Sequence, residues 1–418
     1  MSGPILIFDK SALESLNPDE SVWLDNFFQS NITPLFFIET LADLEKQVHA
    51  GRTPEQVVGN LAYKTPDMQS RPNVHHARLV NAELSGAGTV EMTGRGIISG
   101  GKPVVLEGQT GIVFQRTQEE EAFHRWQRQD FLDVERLVAK GWRRALTTVN
   151  YENAYANFQK WFSGGPKPRS LSDVKFLAET KLGESDQERC FRFGMSLLGI
   201  LPARQEQVVT RWRDAGRPAI REFAPYFAYV LSVELFFYLA IAADLVSRER
   251  PSNKIDFAYL YYLPFCRIFT SNDALHERVV PLFLRADQTF VKGTELKADF
   301  GRLDQHYSSL SKEVRDRGLF HFAAYPPLDR SFLTTRLWDK HMPNWRKNQE
   351  NSKPLSEDLQ RVLMDLVKRI EKDSVPARST QPIGFGEAAY VQMEQKAHFK
   401  KGKWNRFPPE VAATRLSR

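Results

Sequence analysis

Cysteine is nearly missing, with Cys190 and Cys266 the only two in 418 residues. Two isolated thiols build neither a disulfide framework nor a zinc site, and they fit a reducing cytoplasm. The opening MSGPILIFDKS has no basic region followed by a long apolar run, so no secretory signal is read there. No G-x-S-x-G elbow is present, which removes the usual serine-hydrolase arrangement. GRGIISGG at 94–101 lacks the preceding strand and following helix of a dinucleotide fingerprint. GGPKPRS at 164–170 lacks the Gly-Lys-Ser/Thr ending of a phosphate-cradling loop. An Asp-x-Asp phosphatase nucleophile fails at Ser11, which stands in the second acid's place. Apolar runs of membrane length are scarce. The one that approaches it, PYFAYVLSVELFFYLAIAADLV at 225–246, carries Glu234 in its middle and Asp244 near its end. A central acid is costly in lipid, so a buried helix is expected, with no membrane partner.

What is there is an ordinary globular composition, 42% hydrophobic and 26% charged, long enough for two or three domains. The net charge of +6 is a mild excess, which a nucleic-acid partner would suit and which a bland basic protein also carries. PILIF at 4–8 reads as a buried parallel strand ending at Asp9. Residues 11–28 read as helical with a break at Asn17-Pro18. In ITPLFFIETLADLEKQV, Phe37, Leu41, Leu44 and Val48 recur at helical spacing. Glu39 lies off that stripe, with Asp43 one turn later on its own face.

Residues 51–116, rich in Gly, Pro, Asn and His, read as an irregular or small β insertion. Residues 117–249 read as a helical block. Asp256 then opens an apolar helix, CRIFTSND reads as a strand ending at Asp273, ALHERVVPLFL as a helix, and DQTFVKG as a further strand. This alternation predicts a parallel α/β sheet. A lone Asp at a strand end is commonly a turn or helix cap. Several acids at the carboxyl ends of parallel strands can also converge, and their mutual repulsion is relieved by a hard divalent cation.

ILIFDKSAL, FFIETLADL and IDFAYLYYLPFCRIFTSND together resemble the acidic elements of the PIN-like nuclease family. The resemblance implies an α/β fold: a PIN-like parallel sheet flanked by helices, with a large mixed, mainly helical insertion and a helical C-terminal extension. The core would be discontinuous, from residues 1–50 and 250–300, with 51–116 and 117–249 inserted and 301–418 appended. By the same resemblance Asp9, Glu39, Asp256 and Asp273 are ligands of Mg²⁺ or Mn²⁺. Ser11, Asp43, Thr270, Ser271 and Asn272 support them.

The implied activity is hydrolysis of phosphodiester bonds, with RNA preferred to DNA, leaving a 5′-phosphate and a 3′-hydroxyl. The large accessory block suggests controlled targeting, as in a toxin or anti-phage effector with a regulatory protein partner. Lys10, Lys400, Lys401, Lys403, Trp404 and Arg406 are candidate nucleic-acid contacts, because cations bind phosphates and aromatic faces stack on bases. Replacing Asp9 or Asp273 by Asn is expected to abolish cleavage and leave the metal-free fold as stable or more so. The rival reading is a non-catalytic nucleic-acid-binding or scaffold protein that keeps a degenerate PIN-like fold.

Overall fold

The structure is a computed structural model. It describes residues 3–46, 51–99, 101–148, 150–160, 167–183, 186–351, 365–367, 369–370, 372–376, 388–394 and 397–408. Val48, the last position of the helical stripe, lies outside them.

The apolar run at the N-terminus forms β1 (Ile5–Phe8), followed by β2 (Gln29–Ile32) and β3 (Ser70–Pro72). A hairpin of β4 (Gly101–Leu106) and β5 (Gln109–Phe114) comes next. Then come β6 (Ile268–Ser271) and β7 (Thr289–Lys292). Five of these strands pair side by side in the order β3-β2-β1-β6-β7. Every pairing in that sheet is parallel. The protein is therefore mixed α/β, with an all-parallel sheet flanked by helices.

Strand alternation splits the core in two. Ile7 and Phe269 point into one cluster, Leu6, Phe8 and Ile268 into the other. The first cluster is covered by the apolar helix Pro225–Ala242, the second by helices Pro18–Phe27 and Gly293–Ser308 among others. The apolar helix is long enough to cross a membrane, yet 83% of it is buried inside the molecule. Its acid is accounted for: Glu234 is ion-paired with Lys254 and accepts the Tyr261 hydroxyl. Glu83, also buried, caps the helix start by accepting the Tyr226 and Phe227 amides at 3.2 and 2.8 Å. These bonds satisfy N–H groups that no helix can pair internally.

Two sequence expectations are corrected. Residues 51–116 are not a separate insertion, because β3 within them completes one edge of the parallel sheet. The helices Pro54–Lys64 and His76–Ser85 on either side of β3 pack on the core. A true excursion begins after residue 85. GTVEM forms no strand, whereas β4 and β5 match KPVVLEG and TGIVF. The second correction concerns the described residues between 375 and 408, which form short strands where a helical extension was expected. The short strands β8 (Val375–Pro376) and β9 (Val391–Met393) pair with the hairpin in the order β8-β4-β5-β9. A last hairpin, β10 (Lys400–Lys401) with β11 (Trp404–Asn405), docks on helix Pro18–Phe27.

Candidate metal centre

The order of the parallel strands reverses at β1. From β1 the chain adds β2 and β3 on one side, then returns to add β6 and β7 on the other. Crevices at such a reversal, beyond the carboxyl ends of the strands, are where open α/β sheets bind ligands. Asp9 follows β1 and Asp273 lies two residues past β6, so both acids stand at that crevice.

Both are also helix caps. Asp9 accepts the Ala12 amide at 2.9 Å and starts helix Lys10–Ser15. Asp273 accepts the Leu275 and His276 amides at 2.6 and 3.3 Å and starts helix Ala274–Val279. Capping holds the two carboxylates in fixed positions, so the structural role and a ligand role are compatible.

Ser271 joins them. Its hydroxyl donates to Asp9 Oδ2 at 2.7 Å and accepts the Asp273 amide at 2.9 Å. His276 Nδ1 lies 2.8 Å from the same hydroxyl and 3.5 Å from Asp9 Oδ2. Its Nε2 lies 2.7 Å from the Asp256 carbonyl, which only a ring N–H can satisfy. Burial opposes charge on this imidazole, but the bond to Asp9 and the charges of Asp9 and Asp256 raise it to about 9. The imidazolium then donates from both nitrogens, which leaves the Ser271 proton for Asp9. Burial also works against the Asp9 charge. His276, Ser271 and Ser11 outweigh it and hold the carboxyl below its ordinary value.

The other two acids come from further away in sequence. Glu39 sits near the end of helix Pro34–Leu41 and accepts the Tyr259 hydroxyl. Asp256 is on helix Asn253–Tyr259, which the inserted helix Pro225–Ala242 supports through Phe236 and Phe237 against Phe257. Among the described residues the Asp256 carboxylate has no hydrogen-bond partner. Burial pushes it up to about 7; the His276 charge opposes the rise, and Asp273, Glu39 and Asp9 add to it. Burial likewise pushes Glu39 up to about 7, against the Tyr259 bond and the Lys10 charge and with Asp9 adding to the rise. The four carboxylates thus form one electrostatic group. Among the described residues, no three His, Cys, Asp or Glu side chains are grouped closely enough to hold a metal ion as they stand.

The supporting residues divide. Ser11 donates to both Asp9 oxygens, at 2.9 and 2.7 Å, and accepts the Asn272 amide at 3.0 Å. The Thr270 carbonyl accepts the Asp9 amide at 3.1 Å. Asn272 donates to the Ser11 carbonyl at 3.3 Å. A Cβ at Gly293 would lie 2.7 Å from Asn272 Oδ1, so a side chain there would push the Asn272 amide out of its place.

Asp43 does not join the group. The helix tightens into a 3-10 turn at Ala42–Glu45, which turns Asp43 away from the face of Glu39. It is buried and paired with Lys10 and with Arg143, the latter at 3.1 Å. Lys10 is therefore held by a carboxylate and is not presented to a phosphate.

Most of the proposed nucleic-acid contacts are also corrected. Arg406 is buried and ion-paired with Asp25 and Asp67. Lys401 is fully buried and donates to the Lys64 and Thr65 carbonyls at 3.2 and 2.8 Å. Trp404 is buried edge-on to Trp23, with its indole donating to Asp304 at 2.8 Å. Lys403 pairs with Asp304 as well, which leaves only Lys400 without a described partner. His276 and Gly293 were missed in the sequence. The signal for His276 was its place three residues after Asp273, where the first helical turn folds back over the cap.

Comparison of the chain with protein-family models, with curated proteins and with solved structures finds no match.

Proposed function

We propose that this protein is a metal-dependent nuclease of the PIN-like type, acting on RNA in preference to DNA. The observation that supports this most is the electrostatic coupling of Asp256 to Asp273, Glu39 and Asp9, two of which stand at the strand-order reversal, with Glu39 and Asp256 pushed up to about 7. Such crowding favours either protonation or a bound cation. All-oxygen donors suit Mg²⁺ or Mn²⁺. When bound, the ion supplies an activated water and positive charge at the phosphate. Asp256, Glu39 and Asp273 would hold it, each with an oxygen that no described protein donor occupies. Asp9, oriented by Ser11 and Ser271, would anchor the group from below. His276 acts as a positioning residue: its imidazolium fixes Asp9 and, through the Asp256 carbonyl, the helix that carries Asp256.

A regulatory partner acting on the accessory block, as in a toxin or anti-phage effector, and a cytoplasmic setting are part of this reading.

One observation favours the rival, a non-catalytic nucleic-acid-binding or scaffold protein. Both Asp9 oxygens already accept protein donors, and His276 supplies a positive charge where a metal would. Incubation with Mn²⁺ and labelled RNA or DNA separates the two. Cleavage by the wild type and at least a hundredfold loss in Asp273→Asn are expected, about the scale of removing one group that stabilises a transition state. Full activity in Asp273→Asn removes the metal-site assignment, and no cleavage by the wild type favours the scaffold.

A further inference from the structure

A cleft opens directly beside Asp273. Val246, Ser247, Arg250, Asn253, Asp273 and Arg278 contribute to its walls, and it holds about 580 Å³ of empty space, partly open to solvent. One end of this wall is acidic, because Asp273 borders it and Asp256 follows Asn253 by one turn of the same helix. The rim is basic. Among the described residues neither Arg250 nor Arg278 has a carboxylate within ion-pair distance. Other arginines do: Arg248 has Glu152, Arg221 has Glu179, and Arg267 and Arg285 share Asp287. Arg278 donates to the Leu245 carbonyl at 3.3 Å, which braces its guanidinium while leaving other N–H groups unused. Asn253 ties the opposite wall by donating to the Ser247 carbonyl at 2.9 Å.

Two exposed guanidinium groups without a carboxylate partner among the described residues, next to a cluster of acids, suit a ligand that engages both. A simple carboxylate would suit the arginines and leave the acids repelled. A phosphoryl group on a chain of phosphates suits both, because one phosphate can lie on a cation held by the acids while its neighbour lies on the planar guanidinium forks. We propose that Arg250 and Arg278 bind a phosphoryl group of the nucleic-acid strand, next to the phosphate that faces the acids. The inference rests on the nuclease reading for the role of the acids, but the arginine cleft can be tested apart from cleavage. The phosphoryl group can be internal to the strand or a 5′-terminal phosphate, and both present the same oxygens.

The experiment titrates a short labelled single-stranded RNA into wild type, the Arg250→Ala/Arg278→Ala double variant and the Arg250→Lys/Arg278→Lys double variant. Ca²⁺ replaces Mn²⁺, so that binding is read apart from turnover. Both arginines are exposed, so neither variant should disturb folding. Losing two phosphate contacts should flatten the salt slope by about 1.4 and weaken binding about 25-fold at 0.1 M salt. The lysine pair should recover the slope, because the charge returns, but only part of the affinity, because the fork does not. Running 5′-phosphorylated and 5′-hydroxyl RNA side by side distinguishes the sources. A loss confined to the phosphorylated strand assigns the terminal phosphate, and an equal loss assigns the backbone. RNA that binds with this arginine dependence but is never cleaved in Mn²⁺ keeps the cleft and overturns the nuclease. Cleavage by the alanine variant with unchanged KM keeps the nuclease and overturns the cleft. Identical affinity and salt slope in wild type and alanine variant overturn the cleft directly, and a wild type that binds no RNA overturns both.

Discussion

Each acid of the candidate centre has its own electrostatic setting, so the same substitution should act in opposite directions at different positions. Asp9 is ionised and hydrogen-bonded, with a buried imidazolium beside it. Asp9→Asn leaves that imidazolium uncompensated and should cost about 3–5 kcal/mol, the usual result of breaking a buried pair. This reverses the sequence expectation that Asp9→Asn would be neutral or stabilising. Asp256→Asn removes a carboxylate that burial and its neighbours already disfavour, so metal-free stability should hold or rise. Chemical denaturation of the two variants in EDTA checks both. Destabilisation by Asp256→Asn equal to that of Asp9→Asn would show that the four acids are not coupled in this way.

The pH dependence follows from the same groups. Glu39 and Asp256 keep protons in the folded protein up to about 7, while in the unfolded chain they release them near about 4. Between those values the folded state binds more protons, so stability falls as pH rises. His276, raised to about 9 from an unfolded value of about 6.5, has the same sign and extends the fall toward about 9. Asp9 has the opposite sign and loses its contribution only as pH falls below about 4. The metal-free melting temperature should therefore decline from pH 5 to 8, and Mg²⁺ should flatten that decline by favouring the ionised carboxylates. A melting temperature that climbs over this range in EDTA would contradict the assignment.

At the scale of elements, the C-terminal hairpin illustrates how composition can mislead. KAHFKKGKWNRF carries alternating cations and aromatics, a pattern that suits nucleic acid equally well as a docking strap. The structure uses it as a strap. Arg406 and Lys401 close over Asp25, Arg406 also pairs with Asp67, and Trp404 fills a gap between Trp23 and Phe322. The sequence could not decide this, because the deciding carboxylates stand more than 300 residues away, at Asp25 and Asp67. Arg406→Ala should cost about 3–5 kcal/mol by stranding buried charge. The salt slope for RNA should not change. A stable Arg406→Ala protein with a flatter salt slope would restore the binding role.

At the scale of the whole molecule, the long excursion is part of the fold. Helix Pro225–Ala242 covers the face of the sheet that Ile7 and Phe269 present, and it seats the helix carrying Asp256. Replacing residues 117–249 with a short linker should leave that face exposed. Such a chain should lose its near-ultraviolet circular dichroism and collapse into a loosely packed state. A truncated chain with native-like hydrogen-exchange protection in β1 and β6 would show that the excursion is dispensable.

The sequence by itself determined the strands that end at Asp9 and near Asp273, the buried character of the long apolar helix, and the four acids worth testing. These are local facts: a run of apolar residues, an acid at its end, a charge in the middle of a span. Only the tertiary structure decided which residues share a space. It placed β3 at the sheet edge and turned Asp43 toward Lys10 and Arg143. It drew His276 under Asp9, packed Lys401, Trp404 and Arg406 into the interior, and left Arg250 and Arg278 beside Asp273 without a carboxylate partner among the described residues. The physical reason is that charge pairing and burial depend on distance in space, and neighbours in the folded chain come from segments that the sequence separates by up to hundreds of residues.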